Sequence, residues 1–319
     1  MRVYWTSKTK GAMKNDARMQ SLENNSTGNG FPLWFNTTDI NTSPCGKLGT
    51  VDKIAGSIVN ITVALFGSLG NLLVILVIWR TPNLRTVCGI LICNLAIADL
   101  LTTAFTNVPF TLGYAERSTC KDTVALRIAS VIMHISVAAS LETLTFLSID
   151  RCFAICSPLR HRTFATFTKL KLVLLKTWID SMVLPILQEV YPHSPYLWYV
   201  PACALLFCFA IILTCGVLTI FYVRKMSLRI MDLHQNQDGG SSCGRMRHRS
   251  KGVGKTTAIV TFLFVFSWVP FMALRLLKRS FVLDYWFVTL ALSSSAANPF
   301  IYFYRHRNYR QALKRVFRR

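Results

Sequence analysis

Charged residues are scarce in this sequence, and acidic ones most of all. They make up 16% of the 319 residues, whereas soluble domains carry about 25%. Only 14 residues are Asp or Glu, against 36 Lys or Arg. Together with a hydrophobic share of 52%, this composition argues against an ordinary soluble protein and favours a chain surrounded mostly by lipid.

The sequence also lacks the spacing of metal sites and of nucleotide-binding loops. None of the ten cysteines belongs to a paired set of the zinc-binding kind, and His134 is the one histidine well inside an apolar run. Before Gly254-Lys255-Thr256, a phosphate-binding loop would need a glycine at the position of Arg249. The sequence therefore predicts that the chain is not an enzyme and has no cofactor beyond a possible small cation.

Long apolar runs are what the chain has in abundance. Seven of them approach the roughly 20 residues of a membrane-spanning helix, at 54–79, 87–112, 124–149, 172–187, 197–222, 256–277 and 282–303. The fourth is the weakest, because Lys176 and Asp180 interrupt it. Barrel strands would alternate polar and apolar residues over shorter runs. We predict an all-α membrane protein: a tail at 1–53, a seven-transmembrane helix bundle at 54–303, and a short amphipathic eighth helix at 304–319.

The basic residues lie between the apolar runs, which argues for membrane topology and against a nucleic-acid partner. On one side of the predicted bundle, 22 Lys and Arg residues occur at 80–85, 151–171, 224–255 and 305–319. The positive-inside rule makes this side cytoplasmic. The tail carries glycosylation sequons at Asn24, Asn25, Asn36 and Asn41. We therefore expect a multi-pass plasma-membrane protein with its amino terminus outside.

Besides Asp180, two further acids lie well inside the predicted spans. Asp99 is in the middle of the second run and needs polar partners there, because an unpaired charge in hydrocarbon is costly. Polar residues at comparable depth are Asn71, Ser140, Ser294, Ser295 and Asn298. They could cage a small cation with oxygen ligands, or form a hydrogen-bond network without an ion. For the second acid, Glu142, the sequence indicates no partner.

Six short motifs occur in order, each in a different apolar run. They are Gly70-Asn71, Asn94-Leu-Ala-Ile-Ala-Asp99, Asp150-Arg151-Cys152, Trp178 with Pro185, Phe264-Val-Phe-Ser-Trp268-Val-Pro270, and Asn298-Pro299-Phe-Ile-Tyr302. On these residues the chain resembles rhodopsin-like G-protein-coupled receptors over about 54–319. The alternatives are a transporter or channel, although no sequence repeat or filter loop is visible, and a receptor-like scaffold that does not signal.

The resemblance implies a receptor that passes a signal from an extracellular ligand to a heterotrimeric G protein. It assigns coupling and activation to Asp150, Arg151, Tyr222, Phe264, Trp268, Pro270, Asn298, Pro299 and Tyr302. It assigns a sodium site to Asn71, Asp99, Ser140, Ser295 and Asn298. It assigns the ligand pocket to Asn107, Met133, His134, Val137, Phe271, Met272 and Arg275.

The sequence departs from the family pattern in its extracellular disulfide. The predicted loop at 188–196 has no cysteine, where the family has one. A bridge between Cys45 and Cys120 is the remaining extracellular pairing. The short loop, together with Thr214 in place of the usual proline of the fifth helix, resembles the melanocortin, lysolipid and cannabinoid branch.

Two further positions narrow the class of ligand that the resemblance implies. Met133 stands where amine receptors carry an aspartate, and Leu292 stands where opsins carry the retinal lysine. We therefore expect neither a monoamine nor retinal. A peptide, a lipid or an acidic small molecule remains as the expected ligand.

Overall fold

The computed structural model describes residues 48–116, 124–191, 194–234, 259–260, 262–271, 273 and 281–318. Several predicted site residues lie outside these ranges: Asn24, Asn25, Asn36, Asn41, Cys45, Cys120, Met272 and Arg275. The described residues form helices α1 (Thr50–Arg80), α2 (Val87–Phe105), α3 (Asn107–Glu116), α4 (Val124–Cys156), α5 (Pro158–Phe164), α6 (Phe167–Val190), α7 (Pro195–His234), α8 (Phe262–Phe271), α9 (Phe281–Arg305) and α10 (Arg307–Phe317).

Each predicted apolar run contains a helix, and several helices extend beyond the run. Helix α4 continues past position 149 to Cys156, and α7 continues past position 222 to His234. Apolar runs end at the first charged residues, whereas a helix backbone continues through them because long basic side chains reach back to the membrane surface. Four described segments are long and apolar enough to cross a membrane: Thr50–Arg80, Val87–Thr111, Arg127–Cys156 and Cys203–Met226.

The second predicted run is not one continuous helix. Helix α2 ends at Phe105, and α3 begins at Asn107 after a turn at Thr106. Pro109 is the third residue of α3 and has no backbone N–H to donate to the preceding turn. The proline explains the break, which places Asn107 at the junction between the two helices.

Helix α4 is central to the described bundle. It packs against α2 and α7 and also contacts α3, α5 and α6, while α1 packs against both α2 and α9. The facing surfaces bury apolar side chains such as Val74, Leu95, Leu144 and Leu292. Because α2, α4 and α9 each turn polar residues towards this interior, the packing brings together side chains from distant parts of the sequence.

Helix α10 has the amphipathic pattern that the sequence predicts, with one difference. Tyr309 and Ala312 are buried, and Leu313 and Val316 pack against the core. Phe317, an apolar residue that an amphipathic pattern would also bury, is 70% exposed. The contact positions repeat at intervals of three and four residues, so Val316 completes the buried stripe and Phe317 lies beyond it.

Candidate functional site

Asp99 lies inside the bundle, where it is 1% exposed. Its Oδ1 accepts a hydrogen bond from Ser140 Oγ at 3.2 Å, and its Oδ2 accepts one from Asn298 Nδ2 at 2.7 Å. Ser295 also hydrogen-bonds the carboxyl group. The single acid of α2 is thus held by α4 and by α9, and the three donors replace the water that the carboxylate loses on burial.

Asn71 joins this cluster from α1. Its Nδ2 donates to the Ser295 carbonyl at 3.2 Å and to the Gly67 carbonyl at 3.0 Å. Its buried Oδ1 has no hydrogen-bond partner among the described residues. The structure therefore brings all five residues of the expected sodium site together. The observed arrangement is a hydrogen-bond network, in which a carboxylate, hydroxyl groups and a spare amide oxygen supply the oxygen atoms that hard cations prefer.

Threonines and serines extend the network along α2, a feature that the sequence analysis missed. Thr102 Oγ1 donates to Ser136 Oγ at 2.9 Å. Thr103 Oγ1 donates to the Asp99 carbonyl at 2.9 Å and accepts from Ser68 Oγ at 3.2 Å. The spacing in the sequence could have indicated this extension, because residues three and four positions after Asp99 share its face of the helix.

A second polar contact holds three helices together nearer the Arg151 end of α4. Asn94 Nδ2 donates to Thr143 Oγ1 at 2.8 Å, and Trp178 Nε1 donates to Asn94 Oδ1 at 2.9 Å. The amide of Asn94 is 5% exposed and uses both of its polar atoms. This contact gives the Asn94 and Trp178 motifs a physical role, since it fixes α2, α4 and α6 relative to one another.

At the end of α4, Asp150 has two basic partners. Its Oδ2 accepts from Arg151 Nε at 3.0 Å and from Arg151 Nη2, and its Oδ1 lies 2.8 Å from His161 Nε2 on α5. The side chains of Asp150 and Arg151 are 9% and 19% exposed. The described residues therefore hold Arg151 in an ion pair within its own helix.

The junction of α9 and α10 lies within electrostatic range of Arg151. The Tyr302 ring lies 6.3 Å from that of Tyr309, which in turn lies 5.7 Å from the His306 ring. Burial of His306, together with the nearby Arg305 and Arg151, holds the pKa of its ring below the usual value. Protonation of the imidazole is therefore disfavoured at this junction.

Tyr222 does not share the burial of the other expected activation residues. It is 40% exposed on α7, and its ring packs edge-on against Phe221 at 5.9 Å. Tyr302, in contrast, is 2% exposed, and its hydroxyl has no partner among the described residues.

Aromatic rings form a continuous column on α8. Phe271 contacts Trp268 at 5.8 Å between ring centroids, Trp268 contacts Phe264 at 5.7 Å, and Phe264 contacts Phe209 of α7 at 6.1 Å. Pro270 lies inside the column, at a position where a helix loses one backbone hydrogen bond. The ring contacts therefore run without a gap from Phe271 of α8 to Phe209 of α7.

The structure describes five of the seven residues of the expected ligand pocket. Met133 and Phe271 are 4% and 1% exposed, and His134 and Val137 are half-buried. Asn107 is 0% exposed, and neither Nδ2 nor Oδ1 has a hydrogen-bond partner among the described residues. A buried amide without partners is costly, by about 1–3 kcal/mol, and therefore calls for a functional explanation.

The second intramembrane acid, Glu142, has a partner that the sequence analysis did not find. Lys176 Nζ of α6 lies 3.8 Å from Glu142 Oε2 and also pairs with Asp180. The side chains of Lys176 and Asp180 are 60% and 44% exposed, on the outer surface of α6.

The described helices thus form a bundle with a polar centre at Asp99, Arg151 near one end and a column of aromatic rings on α8. The profile of the 7 transmembrane receptor (rhodopsin family) matches residues 70–302 of this chain. The chain therefore belongs to the rhodopsin family of seven-transmembrane receptors, which confirms the predicted family and bundle and rules against the transporter and channel alternatives.

The chain is similar to several receptors with assigned names. It is 27% identical to somatostatin receptor type 3 of Mus musculus, over 91% of this chain and 75% of that receptor. It is 27% identical to somatostatin receptor type 5 of Rattus norvegicus, over 80% and 75% of the two chains. It is 26% identical to the GQ-coupled rhodopsin of Mizuhopecten yessoensis, over 79% and 57%. These relatives are receptors, and the chain is a receptor and not an enzyme.

Proposed function

We propose that this receptor binds an extracellular peptide and signals through a heterotrimeric G protein that contacts Arg151. Family membership implies a ligand and a G protein as partners in general terms. The proposed orientation places the amino terminus outside and Arg151 at the cytoplasmic end, in agreement with the 22 basic residues in the segments of that side.

The peptide class is supported mainly by the buried amide of Asn107, which has no hydrogen-bond partner among the described residues. A side-chain amide offers one donor group and one acceptor oxygen, which match the carbonyl and N–H of a peptide backbone. Asn107 lies at the junction of α2 and α3, and α3 packs against α4, which carries Met133 and His134. Two of the relatives described above are named as somatostatin receptors, which agrees with a peptide better than with a lipid.

The route from the ligand to the G protein uses the contacts described above. A peptide that displaces Phe271 moves the rings of Trp268 and Phe264, and through them α7. Helix α4 carries both the proposed pocket and Arg151, while Asp99 couples it to α2 and α9. Activation then consists of releasing Arg151 from Asp150, so that the guanidinium can contact the G protein.

As a second proposal, a sodium ion binds at Asp99 and stabilises the inactive bundle. Asp99, Ser140 and Ser295 supply oxygen atoms. Asn71, whose Nδ2 donates to the Ser295 carbonyl, carries an Oδ1 without a partner among the described residues. A cation between these groups would tie α1, α2, α4 and α9 together. The Asn298 amide, which now donates to Asp99, would have to turn its oxygen to the ion.

The test is a screen of cells that express the receptor together with several G-protein reporters. Peptide, lysolipid and acidic small-molecule libraries are screened in parallel, and we expect a peptide to activate the receptor. In the Arg151→Ala variant the response should be lost while peptide binding is retained. Lys171→Ala, which removes an exposed charge of α6, serves as the matched control. A normal response from Arg151→Ala would contradict the proposed contact.

Asn107→Leu tests the proposed role of the amide separately. It removes a buried group without partners, so we expect the purified receptor to become more heat-stable, by about 1–3 kcal/mol, while peptide potency falls at least tenfold. If potency is unchanged, Asn107 does not meet the ligand. If only a lysolipid or an acidic small molecule activates the receptor, the peptide class is wrong.

Epitope tags at the two ends test the proposed orientation. On intact cells an antibody should stain only the amino-terminal tag. Staining of the carboxyl-terminal tag on intact cells would reverse the orientation and place Arg151 on the wrong side for a G protein.

A further inference from the structure

A cavity of about 450 Å³ lies between α5 and the neighbouring ends of α2, α4 and α6. Its volume falls within the range of about 300–1,000 Å³ that is typical of small-molecule sites. It lies at the Arg151 end of α4, whereas the proposed peptide pocket involves Met133 near the other end. The two sites are therefore distinct.

The wall of the cavity is apolar. Leu91 of α2 and Leu170 of α6 are buried side chains of this wall, and Phe146, Phe153 and Val173 complete it. A cavity with such a lining has little affinity for water and takes an apolar guest. The guest must therefore present hydrocarbon to most of the surface.

The mouth of the cavity is basic. Arg160 of α5 and Lys169 of α6 both line it and are exposed. The Lys169 ammonium lies 4.4 Å from the centre of the Phe164 ring, which holds the positive charge at the edge of the apolar wall. Asp150 also lines the cavity, but its two oxygens are bound to Arg151 and His161, so it does not neutralise the two cations of the mouth.

We propose that this cavity binds a single-chain anionic amphiphile, a long-chain carboxylate from the cytoplasmic leaflet, with its carboxylate between Arg160 and Lys169. A methylene group is close in size to a water molecule, which takes about 30 Å³ in the liquid, so the cavity accommodates on the order of fifteen such groups. That is about the volume of one acyl chain. The carboxylate gains charge-assisted contacts at the mouth, and the chain gains burial against the wall.

The binding is measured on purified receptor in phosphatidylcholine nanodiscs. The probe is cis-parinaric acid, a fluorescent long-chain carboxylate, and its methyl ester is the uncharged counterpart. We expect saturable binding of the acid and at least tenfold weaker binding of the ester. Because the assay needs neither a peptide nor a G protein, its outcome is independent of the proposed function.

Matched variants locate the site. Arg160→Gln and Lys169→Gln should each weaken binding of the acid several-fold, whereas Lys171→Gln, an exposed basic residue of the same helix that does not line the cavity, should have no effect. Val173→Trp fills the cavity and should abolish binding. Leu172→Trp adds the same side chain at a position that is 62% exposed and outside the cavity, and binding should persist. Ala165→Phe is a second filling variant, used if Val173→Trp fails to fold.

Each contrary result overturns the proposal. Equal affinities for acid and ester would exclude recognition of the carboxylate. An equal loss in Lys171→Gln and Lys169→Gln would show general attraction to a basic surface, and normal binding in a folded filling variant would place the probe elsewhere. In nanodiscs that also contain phosphatidylserine, displacement of the probe would identify a two-chain anionic lipid as the occupant and refute the single-chain assignment.

Discussion

Two of the acids near the middle of the spans, Asp99 and Glu142, are accommodated in opposite ways. Asp99, in the middle of Val87–Thr111, faces the interior and is satisfied by the neutral donors Ser140, Ser295 and Asn298. Glu142, near the middle of Arg127–Cys156, lies towards α6 and is paired with the charge of Lys176. One acid is thus held by hydrogen bonds inside the protein and the other by an ion pair at its outer surface.

The difference shows what each environment requires. Inside the bundle, fixed dipoles from two neighbouring helices, α4 and α9, surround the carboxylate. At the outer surface of α6, the described residues supply no such shell of neutral donors. An opposite charge compensates there, and Lys176 lies between two carboxylates, Glu142 and Asp180.

The largest expected effect follows from breaking the ion pair between Lys176 and Glu142 at the outer surface. Lys176→Leu leaves Glu142 and Asp180 without a cation in the hydrocarbon region, where an unpaired charge costs about 3 kcal/mol. We expect a marked loss of surface expression and a lower midpoint of thermal unfolding for the purified receptor. Lys171→Leu, near the start of α6, should leave both quantities unchanged.

A variant without the two acids, Glu142 and Asp180, provides the control for Lys176→Leu. Glu142→Gln with Asp180→Asn removes the acids, so adding Lys176→Leu to that pair should restore expression, because no charge is left unpaired. If Lys176→Leu is tolerated in the native background, the outer acids are not ionised or are reached by water, and the contrast with Asp99 fails.

A smaller loss of stability is expected from filling the space beside the hydrogen-bond network of Asp99. A Cβ atom at Gly67 would lie 2.6 Å from Thr103 Cγ2 and 2.9 Å from Ala296 Cβ. Gly67→Ala should therefore force α1 away from α2 and α9, with a loss of about 1–3 kcal/mol. Gly216→Ala on α7 has nothing within 4 Å of the added atom and should slightly stabilise the helix. Similar thermal midpoints for the two variants would contradict the close packing around the inner network.

The helices and the inner cluster could be predicted from the sequence for one physical reason. Length and hydropathy fix the depth of a residue in the membrane, so Asp99, Ser140 and Asn298 were recognisable as residues at the same level. The Lys176–Glu142 pair was not predictable in this way. It depends on how far α6 is rotated about its axis relative to α4, and depth carries no information about that rotation.

Local structure was predictable only where one residue decides it. The break between α2 and α3 could have been read from Pro109, since a proline weakens the turn before it. The ends of α4 and α7 could not, because charged residues end an apolar run without ending a helix. The exposed position of Tyr222 follows from the packing of α7, which no local pattern specifies.

Sodium is expected to stabilise the receptor through the site at Asp99 and not through Glu142. If the ion binds at Asp99, a tenfold excess over its dissociation constant stabilises the inactive bundle by about 1.4 kcal/mol. The thermal midpoint should rise with sodium chloride and not with potassium chloride, and Asp99→Asn should abolish the rise. The Glu142→Gln variant should keep it. An equal response to both salts, or a response that survives in Asp99→Asn, would leave only the hydrogen-bond network at this site.

The smallest expected effect compares the two faces of α6. Trp178 points inward and donates to Asn94 Oδ1 at 2.9 Å, whereas Lys176 and Asp180 of the same helix point outward. Trp178→Phe keeps the aromatic packing but leaves the buried Asn94 oxygen without its donor, at a cost of about 1 kcal/mol. We expect the thermal midpoint to fall by a few degrees. In an Asn94→Leu background the same substitution should have no further effect, since the acceptor is already gone, and a double-mutant cycle measures the coupling. If the cycle shows no coupling, the hydrogen bond does not hold α6 in place. A larger loss for Trp178→Phe than for Lys176→Leu would mean that the inward contact, and not the outer ion pair, determines the rotation of this helix.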